Sequence, residues 1–140
     1  MEAEQNPSMI LIPRPIYRRM VDHAQREAPI ECCGILGGKE GTVQKSFEIK
    51  NVECSSVQFL MDPQEQLNTF EVMENSSMEM VAIYHSHPHT IPFPSETDVQ
   101  KTFDPKVPSI IISLKEKEGP VVRAFRIGRE AIYLEEIEIT

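Results

Sequence analysis

The sequence is poor in the features that define disulfide-rich, membrane and nucleic-acid-binding proteins. It has three cysteines, no tryptophan, and no apolar run near the roughly 20 residues that a membrane-spanning helix needs. Its 22 acidic residues outnumber 14 basic ones, so the net charge at neutral pH is −8, whereas binding to nucleic acid requires a basic face. We therefore predict neither a membrane nor a nucleic acid as a partner.

The first residues, MEAEQNPSM, are acidic and polar and lack the apolar stretch of a secretory signal, so we predict a cytoplasmic protein. A chain of 140 residues with 40% apolar content suits one domain with its own core. We expect residues 1–8 to form a flexible tail and residues 9–140 to form a single domain.

The cysteines are Cys32, Cys33 and Cys54. Their number is odd and they form no C-x-x-C pair, so neither a disulfide framework nor a thiolate zinc site is indicated. A nucleophilic role for Cys33 would need a base, and the histidines lie elsewhere in the sequence. Free cysteines usually behave as small buried apolar residues, and we predict that all three pack in the core.

Hydrophobic periodicity and turn residues predict a mixture of strands and helices. The predicted strands are 9–12, 30–38, 42–52, 57–62, 79–87, 108–115, 122–128 and 131–139. The predicted helices are 14–28, 62–75 and 95–103, with Asp62 as the cap of the second helix and Pro63 at its first position. Strands and helices that occur in runs, without strict alternation, favour a layered α/β or α+β domain.

Three of the four histidines fall in the stretch YHSHPHTIPFPSETDV, residues 84–99. Alternate residues of a strand share one face, so His85 and His87 are predicted to project together at the end of a strand, while Ser86 points away. The proline-rich loop that follows leads to Asp98, in the first turn of the next helix. Two imidazoles and one carboxylate form a three-ligand zinc site with a fourth position left for water.

Simpler explanations exist for the same residues. Ser95 and Asp98 also form an S-x-x-D capping box, and this is compatible with a metal site if Asp98 leaves its capping role to bind the ion. A histidine pair at a strand end can also be exposed and without function. We expect His89, in the loop, to be without function, with a contact to the substrate or to a metal ligand as the alternatives. We expect His23 to be a partly buried residue on the surface of the first helix.

A metal-bound water needs a base that is not itself a ligand. Glu31 is the candidate, because it is the one charge within the otherwise apolar run APIECCGILGG. Burial of an unpaired charge costs several kcal/mol, so a charged residue in an apolar run indicates a functional role. The alternative is that Glu31 is simply the exposed first residue of its strand.

These residues together resemble the JAMM motif of the MPN-plus metalloproteases. The motif has a glutamate, a long gap, H-[S/T]-H-P and then S-x-x-D, and this sequence matches it through Glu31, residues 85–88 and residues 94–98. The flanking stretches PIECCGILGG and VAIYHSHP resemble the family as well, and the likeness extends from Met9 onward. The resemblance implies a cytidine-deaminase-like α/β fold, with a curved mixed β-sheet flanked by helices.

The same resemblance implies a role for each residue of the motif. His85, His87 and Asp98 would bind one zinc ion per chain together with a water molecule. Glu31 would act as general base and then as general acid, and Ser95 would donate a hydrogen bond to the oxyanion. The implied reaction is the hydrolysis of a peptide or isopeptide bond.

The implied substrate is the bond after the C-terminal Gly-Gly of a ubiquitin-like or a ThiS/MoaD-like sulfur-carrier protein, joined either to cysteine or to lysine. Short connections after residue 52 and after the active-site helix look like the compact prokaryotic form of the family. Two alternatives are a non-catalytic scaffold with the same fold and a zinc deaminase. The deaminases use H-x-E with P-C-x-x-C, which this sequence lacks.

Overall fold

The computed structural model describes residues 9–102 and 104–140, and the predicted tail at residues 1–8 lies outside the described residues. The strands are β1 (Met9–Ile12), β2 (Cys33–Lys39), β3 (Thr42–Ile49), β4 (Glu79–His87), β5 (Ser109–Ser113), β6 (Val121–Ile127) and β7 (Ile132–Ile139). The helices are α1 (Arg14–Glu27), α2 (Pro63–Asn75) and α3 (Glu96–Gln100). Across the described ranges, no helix is both long and apolar enough to cross a bilayer.

The strands form one mixed sheet that curves until its two ends meet. Their order is β1-β3-β2-β4-β5-β6-β7, and β1 pairs in parallel with both β3 and β7, which closes the sheet. β4 lies between β2, to which it is antiparallel, and β5, to which it is parallel. The predicted curved mixed sheet with flanking helices is therefore confirmed.

Helix α1 covers one face of the sheet because its apolar residues recur at helical spacing. Ile16, Met20 and Ala24 are all buried and belong to the largest core cluster, together with Tyr84 from β4. His23 lies on the same helical face and is only 4% exposed, with its Nδ1 atom 2.8 Å from the Tyr84 hydroxyl. The prediction of a partly buried surface histidine was wrong, because Tyr84 gives the ring a polar partner inside the core.

Helix α2 belongs to the opposite face of the sheet. Its Met73 is buried with Cys33, Ile35 and Ile49 from β2 and β3 in a second core cluster. The helix begins as predicted, because Asp62 caps it by accepting a hydrogen bond from the Glu65 amide at 2.9 Å.

Two of the sequence predictions failed in the connection that leads to α2. The strand predicted at 57–62 is absent from the described structure except for a single bridge between Asn51 and Met61. Cys32 and Cys33 are buried as predicted, but the prediction for Cys54 was wrong, because it is exposed. It lies in the irregular segment after β3, where its backbone has a φ of 49°.

Gly34 on β2 lies opposite Tyr84 on β4, and the tyrosine ring packs against the glycine. They are register partners, and a Cβ atom on Gly34 would overlap the ring and hydroxyl of Tyr84. Tyr84 is 1% exposed and immediately precedes His85. Only glycine leaves room for the tyrosine ring at this position.

We expect Gly34→Ala to lower the free energy of unfolding by about 1–3 kcal/mol, the usual cost of overpacking a filled core. Urea denaturation of the two proteins would measure the difference. Gly128→Ala is the matched control, because its Cβ would lie 3.3 Å from the nearest atom, the Ala131 carbonyl oxygen. Equal losses in the two variants would contradict the close packing of Tyr84 on Gly34.

Candidate metal centre

The end of β4 places His85 and His87 side by side, as the strand parity predicts. Both are buried, with exposures of 2% and 3%, and their Nε2 atoms lie 3.2 Å apart. Because β4 is paired on both sides, the backbone that carries the two rings is fixed by β2 and β5. The pair is therefore neither exposed nor free to turn away, which excludes the idle surface pair as an explanation.

The loop after β4 determines which nitrogen of His87 is available. The Nδ1 atom of His87 lies 2.9 Å from the carbonyl oxygen of Ile91. A carbonyl only accepts hydrogen bonds, so Nδ1 carries the hydrogen and the neutral ring keeps a lone pair on Nε2. The loop is held in place from β5, where the Ser113 hydroxyl donates a hydrogen bond to the Thr90 carbonyl oxygen at 2.5 Å.

Asp98 reaches the two histidines from the first turn of α3. Its Oδ2 atom lies 3.2 Å from His85 Nε2 and 3.0 Å from His87 Nε2, and its side chain is 6% exposed. The capping box is also present: Ser95 N donates to the same Oδ2 atom at 2.9 Å, and Asp98 N donates to Ser95 Oγ at 3.0 Å. Asp98 therefore caps the helix and faces the histidines at once, and need not leave one role for the other.

The three side chains fit a bound metal ion. His85, His87 and Asp98 each offer one donor atom, and these atoms lie within 4.8 Å of one another. The lone pair of His87 Nε2 faces a carboxylate oxygen, so the arrangement needs a shared cation, either a proton or a metal ion. Two nitrogens and one oxygen that converge at one point are a donor set typical of catalytic zinc, with a further position open.

The electrostatics of the cluster agree with this geometry. Burial alone would raise the pKa of Asp98, but its hydrogen bonds with His85 and His87 hold that pKa well below its usual range. Burial lowers the pKa of His87, and the hydrogen bonds with Asp98 and with the Ile91 carbonyl more than offset this, so that the pKa is raised. The carboxylate is thus ionised at neutral pH and attracts a cation to the two rings.

Glu31 is buried beside this cluster, which excludes the exposed strand end as an explanation. It is 3% exposed, and within the described part of the chain its Oε1 atom has no hydrogen-bond partner. Burial raises the pKa of Glu31 from 4.5 to about 8, with the charge of His87 lowering it in part and the charge of Asp98 adding to the rise. A carboxyl group that changes protonation near neutral pH is suited to proton transfer.

Ser86, between the two histidines, ties the segment of Glu31 to β4. It points to the opposite face, as predicted, is fully buried, and its hydroxyl oxygen accepts a hydrogen bond from Cys32 N at 2.8 Å. In turn, the Ser86 amide donates to the Cys32 carbonyl oxygen at 3.1 Å. Strand parity predicted the face on which Ser86 lies, but its hydrogen-bond partner Cys32 is known only from the pairing of β2 with β4.

Phe59 was missed by the sequence analysis. Its ring stacks on His85, with the ring centroids 4.7 Å apart and the planes at 29°. It lies within the segment wrongly predicted as a strand, and no sequence pattern separated it from an ordinary core residue. His89, in contrast, is exposed. His23 lies with α1 and Tyr84, on the face opposite the cluster.

Comparison with known proteins gives consistent matches over most of the chain. A family described as prokaryotic homologs of the JAB domain matches residues 13–128. The CysO-cysteine peptidase of Mycobacterium tuberculosis is 32% identical over 133 residues, which cover 94% of this chain and 91% of that protein. The desampylase of Pyrococcus furiosus is 39% identical over 93 residues, which cover 66% of each chain.

Solved structures share the fold. The solution structure of protein DSY2949 from Desulfitobacterium hafniense superposes with a TM-score of 0.87 at 35% identity, and covers 94% of this chain and 93% of that chain. The crystal structure of a JAB1/MPN domain protein from Archaeoglobus fulgidus superposes with a TM-score of 0.57 at 16% identity, over 94% and 99% of the two chains. The second likeness is one of fold alone.

We expect Glu31→Gln to stabilise the metal-free protein at pH 8 but not at pH 4. Because the pKa of Glu31 is raised in the folded state, the unfolded chain loses this proton first, and the wild type loses stability as pH rises from 4.5 toward 8. Glutamine cannot ionise, so at pH 8 the free energy of unfolding of the variant should exceed that of the wild type by roughly 2–4 kcal/mol.

Urea denaturation after dialysis against a chelator would measure the difference at both pH values. Glu96→Gln, at an exposed acid of the nearby helix α3, is the control and should show no such pH-dependent gain. A Glu31→Gln gain that was the same at pH 4 and pH 8 would contradict a buried carboxyl group with a raised pKa.

Proposed function

The chain belongs to the family of prokaryotic homologs of the JAB domain, and we propose that it is a zinc-dependent peptidase that hydrolyses the bond after the C-terminal Gly-Gly of a ubiquitin-like or sulfur-carrier protein. The observation that carries this proposal is the convergence of His85, His87 and Asp98 beside the buried Glu31 carboxyl group. A scaffold without catalytic function would gain nothing from burying these ionisable side chains, which lowers the stability of the fold. The names of its relatives, CysO-cysteine peptidase and desampylase, describe peptidases that act on conjugates of this kind.

His85, His87 and Asp98 would hold one zinc ion per chain through two imidazole nitrogens and one carboxylate oxygen. Zinc held there would supply a Lewis acid and would activate water as a nucleophile near neutral pH. The hydrogen bond from His87 Nδ1 to Ile91 orients one ligand, and the stacked Phe59 ring orients the other.

Glu31 carries the proton in the proposed reaction. Its carboxylate accepts a proton from the attacking water, whose oxygen bonds to the carbonyl carbon of the terminal glycine. It then gives the proton to the nitrogen of the leaving amine as the carbon–nitrogen bond breaks, so that the products are a free carboxylate and an amine. A buried carboxyl group beside the cluster suits both transfers, because it can accept a proton and give it back without exchange with bulk water.

We propose that Ser95 stabilises the developing oxyanion. Its hydroxyl oxygen accepts from Asp98 N, which leaves the hydroxyl hydrogen free to donate to the carbonyl oxygen of the substrate. The N-cap of α3 holds this hydroxyl on the same turn as Asp98. A donor fixed in advance in this way stabilises charge that develops in the transition state.

A Gly-Gly tail suits the recessed position of the site. The histidines are 2% and 3% exposed and Glu31 is 3% exposed, so an extended peptide must bring its backbone close to buried atoms. Glycine permits that approach because it has no side chain. The amine released is either free cysteine or the side chain of a lysine.

We expect the zinc-loaded protein to cleave a carrier protein extended by cysteine after its terminal Gly-Gly, a lysine isopeptide of the same carrier, or both. Intact-mass spectrometry of the two substrates would identify the bond that is cut. Glu31→Gln should keep one zinc per chain and lose at least ~10²-fold in rate, because the proton then lacks its acceptor. Full activity in that variant would refute the role of Glu31, and intact substrates with one zinc bound would refute the substrate class.

We expect Ser95→Ala to lower kcat by ~10²–10³-fold, as for the loss of one oxyanion donor. Steady-state kinetics at 25 °C would measure it, and Ser95→Thr, which keeps both the hydroxyl and the cap, should restore most of the rate. Asp62→Ala is the control for lost capping, since it removes the cap of α2 and should cost about 1 kcal/mol of stability but no activity. If the kcat of Ser95→Ala equalled that of Asp62→Ala, Ser95 could not be the oxyanion donor.

A further inference from the structure

The main chain of Glu31 lies outside the strand ladders of the sheet. β2 begins at Cys33, and Glu31 precedes it. The Glu31 amide donates a hydrogen bond to the Ser55 carbonyl oxygen at 2.8 Å, and the Glu31 carbonyl oxygen accepts one from Asn51 Nδ2 at 2.9 Å. Both main-chain polar groups of the residue are therefore bound by one short segment, residues 51–55.

Asn51 makes four side-chain hydrogen bonds from a buried position. It is 8% exposed, and besides Glu31 its Nδ2 group donates to the Gln58 carbonyl oxygen at 3.1 Å. Its Oδ1 atom accepts from Glu53 N and from Leu60 N, each at 3.0 Å. An asparagine amide has two donor hydrogens and two acceptor lone pairs, so the hydrogen-bonding capacity of this side chain is fully used.

Three of the four bonds connect the two sides of the candidate site, and the fourth, to Glu53 N, is local. One side is Glu31. The other is the loop between Gln58 and Leu60, which carries Phe59 onto the ring of His85. The backbone of Asn51 is anchored in turn by its bridge to Met61. The Asn51 amide thus lies between the segment that bears the base and the loop that packs on a ligand.

Resting on the proposed function, we propose that Asn51 is a positioning residue that holds Glu31 at its working distance from the metal ligands. The Oε1 atom of Glu31 has no hydrogen-bond partner in the described ranges, whereas the main chain of the residue is held by its bonds to Ser55 and Asn51. A misplacement of a reacting group by about 1 Å can cost ~10²-fold in rate. Asn51 prevents such a shift without touching the substrate.

Asn51→Asp tests this assignment with little change in shape. It keeps the acceptor toward Glu53 and Leu60 but replaces both donors, including the one bound to the Glu31 carbonyl oxygen. In the zinc-loaded full chain we expect kcat to fall ~10–10²-fold, with KM and the zinc content unchanged. Asn51→Ser, which is neutral and too short to reach Glu31, should show the same loss and serves if the aspartate variant fails to fold.

Thr69→Val is the matched control. Thr69 is also buried and polar, at 6% exposure, and its hydroxyl donates to the Glu65 carbonyl oxygen within α2. The substitution removes a buried hydrogen bond of similar depth and should leave kcat at the wild-type value. An Asn51→Asp enzyme with the kcat of Thr69→Val would overturn the assignment while leaving the peptidase proposal intact.

A double variant separates positioning from a general loss of structure. If Asn51 acts through Glu31, the Asn51→Asp, Glu31→Gln double variant should be no slower than Glu31→Gln alone, because effects of residues that act as a unit do not add. Losses that multiply would mean that Asn51 supports the fold only, and would overturn the proposal.

If the wild type cleaves neither carrier substrate, the proposed function fails, and the assignment of Asn51 is judged by hydrogen exchange. In the zinc-loaded protein, Asn51→Asp should speed exchange of the Glu31 amide, which is bonded to Ser55, whereas Thr69→Val should not. Unchanged exchange at Glu31 in Asn51→Asp would overturn the assignment.

Discussion

In the antiparallel pairing of β2 with β4, Cys33 lies opposite His85. Two hydrogen bonds between Cys32 and Ser86 continue this register toward Glu31. They bring Glu31 beside His87, although Glu31 and His87 are far apart in sequence. Because strand parity alternates, Glu31 and the histidines share one face, while Cys32 and Ser86 face the other. A slip of one residue in this pairing would turn Glu31 away from His85 and His87, so the candidate site depends on that register.

The same face carries an electrostatic cost. The side chains of Glu31, His85, His87 and Asp98 are all largely buried, and burial raises the pKa of Glu31 because its charge is poorly solvated there. Hydrogen bonds offset part of this cost for Asp98, through the Ser95 amide and the two histidines. A bound divalent cation would offset more, so that metal binding and folding stability are linked at this site.

Periodicity and turn residues predicted most of the fold, because most elements follow local patterns. The apolar spacing of Ile16, Met20 and Ala24, and the cap at Asp62, specify α1 and α2 directly. The segment at 57–62 has the composition of a strand, but its backbone is bound by the side chain of Asn51 and carries Phe59 to the site. His23 was misjudged for a similar reason, since the Tyr84 hydroxyl that makes its burial tolerable comes from a distant strand.

Local patterns were enough to predict the candidate donor types, the i, i+2 spacing of His85 and His87, and the capping box that joins Ser95 to Asp98, because these depend on geometry within one strand end and one helix turn. The sequence also singled out Glu31 as a charge in an apolar run. The folded chain was needed to show that Glu31 is buried beside the His-His-Asp cluster, that Ser86 and Asn51 bind its segment, and that Phe59 packs on His85. Those contacts join segments distant in the chain, and strand register and long-range hydrogen bonds leave no local pattern by which they could be recognised.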